Sequence, residues 1–116
     1  MISGLDLNAT IDFIVEKDKE NPTIFKLGVL SSYLFARISA EANKNEIQTV
    51  FKILQLTIKG WENGPIQFET VKEKVYDRDI EVVPISILEQ FPIKVITELS
   101  VKSMEINQIT DIERKN

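Results

Sequence analysis

Three carboxylates at alternate positions, Asp77, Asp79 and Glu81, are the closest approach in this chain to a constellation that does chemistry. The spacing matches the opening of a calcium-binding loop, where ligands recur at every second position. Val82, however, stands where that loop needs its invariant glycine, and Leu88 where it needs a bidentate glutamate. A solvated hairpin turn is the better reading. Asp18 and Glu20, interleaved with Lys17 and Lys19, read the same way, as a solubilising loop.

The residues that are missing exclude more. The sequence contains no histidine and no cysteine, which removes Ser-His-Asp and Cys-His nucleophiles, the usual zinc ligand sets and the commonest general base. There is no Ser-x-x-Lys pair for a lysine-activated serine. Gly4, Gly28, Gly60 and Gly64 form neither Gly-x-Gly-x-x-Gly nor a Walker A loop, so no phosphate cradle is written here. The expectation is a non-enzyme with no metal, no cofactor and no small-molecule substrate.

Bulk composition bounds the remaining classes. With 116 residues, 43% hydrophobic and 28% charged, the chain suits one folded domain, residues 1–116. A net charge of −4 with scattered basic residues argues against nucleic acid, which needs clustered Lys and Arg. Absence of cysteine fits a reducing, intracellular setting. The opening Met1–Asp6 lacks the basic and apolar regions of a signal peptide, and no uncharged apolar stretch approaches the ~20 residues of a membrane span. The longest, Leu27 to Ala36, is broken by Ser31 and Ser32. No membrane partner is expected.

The elements are read from periodicity and turn chemistry. Thr10–Val15 and Thr23–Leu30 are rich in β-branched and aromatic residues and flank the polar Glu16–Pro22, predicting a hairpin. Ser31 or Ser32 caps a helix to about Asn43, with Leu34, Ile38 and Ala42 at a spacing of four. Asn45 with Gln48 forms a capping box for a helix whose apolar face is Ile47, Val50, Phe51, Leu54 and Ile58, widened by Ile53 and Leu56. Gly60 is read as its stop, after Lys59, and Trp61 to Pro65 as the turn beyond. Ile66 to Val83 reads as strand from the pattern Ile66, Phe68, Val71, Val75, Ile80 and Val82, with a bulge between Phe68 and Val71 and the turn at Asp77-Arg78-Asp79. Ser86 with Glu89 caps a short helix, and Pro92 opens a helix over Ile93–Ile106. From about residue 107 a short polar tail is expected, in which Thr110 with Glu113 starts no more than a frayed turn. Hairpin, two helices, hairpin, two helices gives the α+β class: an antiparallel sheet from two β-hairpins covered by about four helices.

One aromatic residue carries a functional reading. Trp61, followed by Glu62 and Asn63, reads either as an exposed anchor for a partner or as the last step of the core, which the large apolar area of a tryptophan favours. Phe25, Tyr33, Phe35 and Phe51 read as core. Trp61, Glu62 and Asn63 are the candidate protein interface.

Several short stretches carry a resemblance. Asn21-Pro22-Thr23-Ile24-Phe25-Lys26-Leu27, Lys59-Gly60-Trp61-Glu62-Asn63, Phe68-x-Thr70, Val82-Val83, Ile85-x-Ile87-Leu88 and the run Asn107 to Asn116 make the chain similar to small proteins of tailed bacteriophages. These are encoded among head and tail morphogenesis genes and include tail assembly chaperone-like proteins. The likeness runs, with gaps, from about residue 13 to the end. In that pattern a longer Asp/Gly-containing turn follows the Gly-Trp-x-Asn element, whereas only Gly64-Pro65 intervenes here. The resemblance implies a non-catalytic phage protein: either a virion component near the portal, neck or tail, or a chaperone that holds tail proteins before assembly. Its partners would be phage structural proteins or copies of itself, in the bacterial host cytoplasm during assembly or in the virion. A small regulatory phage protein that binds a host target is the alternative.

Overall fold

Phe25 and Leu27 are buried while Lys26 between them is not, the two-residue alternation that a half-buried strand requires. They lie in β2 (Ile24–Gly28), which pairs antiparallel with β1 (Thr10–Ile14), placing Ile11 opposite Leu27 and Phe13 opposite Phe25. On the outer face Asp12 stands directly across from Lys26, with Nζ donating to Oδ1 at 2.8 Å. That hydrogen bond holds the Lys26 ammonium above its usual pKa. The computed structural model describes residues 7–15, 20–41 and 46–115, with side chains given over 47–107 in the last stretch. The Glu16–Lys19 part of the first loop, with Asp18, and the positions of Ala42, Asn43 and Asn45 lie outside the described residues.

The remaining elements are α1 (Ser32–Glu41), α2 (Glu46–Thr57), β3 (Ile58–Glu62), β4 (Val71–Val75), β5 (Arg78–Val82), α3 (Ile85–Leu88) and α4 (Ile93–Lys115). The fold is α+β, with helices beside antiparallel strands. The hairpins do not merge into one sheet, however. β1, β2 and β3 form a three-stranded sheet and β4–β5 a separate two-stranded one.

β3 is the main departure from the sequence reading. The helix expected to run to Lys59 ends at Thr57, and Ile58 begins a strand on the open edge of β2. Spacing alone cannot separate these outcomes, because Ile58 lies four residues after Leu54 and continues the helical stripe as well as it starts a strand. Pairing with β2 decides the matter, a tertiary gain that overrides local periodicity. Gly60 is therefore no helix terminator: it sits in the ladder opposite Lys26, without the positive φ of a C-cap. The register slips between Lys26 and Leu27, leaving Lys59 as the extra residue of a bulge.

α1 follows expectation at its start. Ser31 Oγ accepts the Leu34 N–H at 3.3 Å and the Ser31 carbonyl accepts Phe35 N–H, so Ser31 is the N-cap. Leu34 and Ile38 are buried. In α2 the face read off the sequence holds from Val50 onward, where Val50 and Phe51 pack against the core, but not at its start. Ile47 is 73% exposed, whereas Thr49, Ile53, Leu54 and Leu56 are buried. Thr57 closes this helix by donating to the Ile53 carbonyl, and its hydroxyl meets Ser103 Oγ of α4 at 3.1 Å.

Further along, Ile66 to Thr70 is not strand. The second hairpin turns at Tyr76-Asp77 rather than Asp77-Arg78-Asp79, since Arg78 pairs with Val75 and Asp79 with Lys74. Both turn residues have positive φ, 50° and 66°, the signature of a two-residue type I′ turn. Ser86 lies inside α3 and does not cap it; Pro84 is the N-cap, with no side-chain bond. α4 begins directly after Pro92, as expected, but runs to Lys115, so Thr110 lies within the helix rather than at the start of a separate turn. The tail expected from about residue 107 instead begins on a buried residue, Asn107.

The main core joins Phe25, Leu27, Leu54, Ile58, Leu88 and Leu99 between the sheet, α2, α3 and α4. A second cluster, including Leu34, Ile38, Ile53 and Val82, lies where α1 and α2 meet the β4–β5 hairpin.

Candidate interaction surface

Trp61 is placed by β3 directly opposite Phe25, on the core face of the sheet. Its ring is half-buried and stands edge-on to Phe25, Phe68 and Phe91, with centroids 5.8, 4.9 and 5.2 Å away. Each of these edge-to-face contacts adds roughly 0.5–1.5 kcal/mol beyond burial alone. The indole Nε1 donates to the Ile66 carbonyl at 2.7 Å, so the polar tip of the ring is already used within the chain. Gly64 packs beneath the ring: a Cβ there would lie 2.6 Å from Trp61 Cδ1. Ile66 and Phe68 reach the core by lying against this ring from an irregular segment, and not through a strand.

Glu62 and Asn63, the other two residues singled out by sequence, are exposed at the end of β3. Glu62 stands opposite Ile24 in the ladder. Asn63 turns the chain with φ 58° and its carbonyl accepts from Thr23 Oγ1 at 3.1 Å. Trp61, Glu62 and Asn63 thus share one corner but not one role: the indole faces inward and the two polar residues face water. Beside Asn63 opens a cleft of about 360 Å³, floored by Phe25, Phe91 and Val95 and rimmed by Asn21, Thr23 and Asn63. Among the described residues, none that lines it has an ionisable side chain.

The acidic triplet resolves differently. Asp79 and Glu81 on β5 stand across from Lys74 and Lys72 on β4, all of them exposed. Alternate carboxylates facing alternate lysines form a cross-strand charge ladder. Asp77 is set apart in the turn.

A polar cluster that the sequence reading passed over joins α1, α2 and the second hairpin. Tyr76 OH donates to Glu41 Oε2 at 2.6 Å, and Lys52 Nζ donates to the same oxygen at 3.1 Å. The Arg37 guanidinium lies 4.4 Å from the Tyr76 ring centre and Lys52 Nζ 4.8 Å, while Arg78 lies 4.6 Å from the ring of Tyr33. Arg37 also donates to Tyr33 OH at 2.8 Å. The Tyr76 hydrogen bond, then that of Lys52, holds the Glu41 carboxyl below its usual pKa. Burial, together with donation to Glu41, raises that of Tyr76. Burial would lower Lys52, but Glu41 and Tyr76 outweigh it and the net shift is upward. A tyrosine at φ 50° is disfavoured, and this network is what holds it there. Only the Tyr33–Arg37 pair, four apart on one helix, was visible in advance as a local signal.

Among the described residues, no helix is long and apolar enough to cross a membrane. Comparison with protein families, with curated proteins and with solved structures gives no significant match to this chain.

Proposed function

We propose that this chain is a non-enzymatic interaction protein of a tailed bacteriophage, acting in virion structure or in head or tail assembly. The reading rests on the resemblance of the short motifs named above to phage morphogenesis proteins. Support for treating them as one unit comes from where they lie: Thr23 bonds to Asn63, Phe25 packs on Trp61, and Trp61 packs on Phe68. Segments far apart in sequence therefore build one corner, so the stretches that carry the resemblance belong to one folded unit. The partners are phage structural proteins of the portal, neck or tail, with self-association as a further contact.

Mass spectrometry of purified particles tests the reading. A stoichiometric copy in the virion supports a structural component, whereas absence from particles together with tail failure on gene deletion supports an assembly chaperone. Recovery of a stoichiometric host protein from lysate, with no phage structural protein, favours the regulatory alternative and overturns the assembly role. Turnover of any substrate that disappears in an Asp77→Asn, Asp79→Asn double variant of intact fold overturns the non-enzymatic one.

A further inference from the structure

Where α1 meets the tip of the β4–β5 hairpin, cations and aromatic rings alternate in one continuous row. Arg78 lies 4.6 Å from the ring centre of Tyr33, Arg37 lies 5.7 Å from that same centre and 4.4 Å from that of Tyr76, and Lys52 ends the row 4.8 Å from Tyr76. The charges on this side do not balance. Arg78 stands opposite Val75 and shares its face with Ile80 and Val82, the side of the hairpin that packs on α1 and α2, while Asp79 and Glu81 point to the other side. Of the carboxylates around the packed side, Glu41 is taken by Tyr76 and Lys52, and Glu73 accepts from Gln55. Neither arginine has a carboxylate within ion-pair distance among the described residues, Asp77 of the adjoining turn included. Each guanidinium carries five N–H donors; Arg37 commits one to Tyr33 OH, and Arg78 donates to no protein group among the described residues.

We infer that this patch is a docking surface for an acidic segment of a partner protein, whose carboxylates pair with Arg37 and Arg78 on either side of Tyr33. Tyr33, Arg37 and Arg78 are all exposed, and tyrosine and arginine are the residue types that concentrate binding energy at interfaces. The rings also hold the guanidiniums in place beforehand, so less side-chain freedom is lost when a carboxylate arrives. Their shared ring bounds how far apart the two cations lie: no more than 4.6 and 5.7 Å placed end to end. Carboxylates two positions apart on an extended segment project from one face roughly 7 Å apart, so an acidic-x-acidic pattern reaches both. Charge also selects against the other occupants. Two free cations beside Asp77, on a chain of net charge −4, do not suit a nucleic-acid backbone, whose affinity grows with the number of phosphates neutralised. A second copy of this chain offers Asp79 and Glu81 at the required spacing, but these already face Lys74 and Lys72.

The docking surface rests on the protein-binding part of the proposed function and not on its phage assignment, so the two fail separately. The test is fluorescence anisotropy of a dye-labelled, capped octapeptide of alternating glutamate and valine, titrated with the full chain at physiological salt, where exposed charges more than about 8 Å apart are largely screened. Saturable binding is expected. Arg37→Gln and Arg78→Gln should each weaken it roughly fivefold or more, a loss of about 1 kcal/mol, with circular dichroism confirming that both variants are folded. Replacing the glutamates of the peptide by glutamine should weaken binding by at least as much, a comparison that leaves the protein untouched. Lys72→Gln removes a cation from the opposite face of the same hairpin and should leave binding within about twofold. The docking surface is overturned if the peptide does not saturate by about 1 mM, a free energy of only about −4 kcal/mol. Equal binding of the glutamine peptide, or a loss in Lys72→Gln equal to that in Arg78→Gln, overturns it as well. Tighter binding of a short oligothymidylate than of the peptide, or a concentration-dependent dimer that Arg78→Gln abolishes, overturns the choice of occupant.

Discussion

The Leu30 backbone N–H donates to Asn107 Oδ1 at 2.8 Å, joining the entry to α1 and the second half of α4 across 77 positions of sequence. Asn107 is 6% exposed and uses its Nδ2 on the Ser103 carbonyl, so both ends of the amide are satisfied inside the protein. Replacing Asn107 by Leu leaves the Leu30 N–H buried and unpaired, which costs roughly 1–3 kcal/mol. Urea denaturation is expected to show the midpoint falling with little change in slope. An unchanged midpoint would show that water reaches this site.

The Trp61 corner separates packing from docking. Trp61→Ala is expected to lower stability by about 3 kcal/mol, within the range for a large aromatic core residue, because the ring holds Phe25, Phe68 and Phe91 together. Gly64→Ala forces the ring away from its place and is expected to cost roughly 1–3 kcal/mol, with a shift in tryptophan emission. Full stability of both variants would return Trp61 to the role of an exposed anchor.

Two apolar residues of α2 predict opposite outcomes. Leu54, fully buried in the main core, is expected to lose roughly 2–5 kcal/mol on truncation to Ala. Ile47 is expected to lose less than about 0.5 kcal/mol, as surface positions do. Equal losses from the two thermal melts would mean that the helix faces the other way.

Glu41 predicts a pH dependence. Its folded pKa lies below the ordinary 4.5 because Tyr76 and Lys52 bond to the ionised form, so its stabilisation is complete above that value and fades as pH falls through the folded one. Melting temperatures of Glu41→Gln and the parent chain should converge as pH is lowered through the carboxylate range. Tyr76→Phe, which removes the hydroxyl but keeps the ring under Arg37, should remove part of the same difference. Parallel curves at all pH values would show that the carboxylate contributes nothing.

How far the sequence disclosed this arrangement varies by element. The first hairpin, the Ser31 cap and the start of α4 after Pro92 were legible because local rules act there: alternation, side-chain capping and a proline that lacks a donor. The strand at Ile58–Glu62 was not, since the choice between one more helical turn and a strand is made by β2, remote in sequence. Tyr76 was hidden for a related reason. A tyrosine at positive φ is unfavourable by itself, and it is acceptable only because Arg37, Glu41 and Lys52 converge on it from two helices. The candidate corner was half legible: Trp61 stood out by type, but its partners Phe68 and Phe91 and its hydrogen bond to Ile66 depend on the folded path. In the row of cations and rings only Tyr33 and Arg37 follow a local spacing; Arg78 joins them because the β4–β5 hairpin folds onto α1, a contact that no local pattern records.

Helix α2 gives way to β3 between Thr57 and Ile58 with no linking residue. An amino acid inserted at that seam would have nowhere to be accommodated. Counted on the helix side, it turns the buried face by about 100°; counted on the strand side, it exchanges the inward and outward sets and sends Trp61 to solvent. The bulge at Lys59 has already taken up the one residue of slack. Length variation in chains of this architecture should therefore collect in the irregular stretch 66–70 and spare this seam altogether.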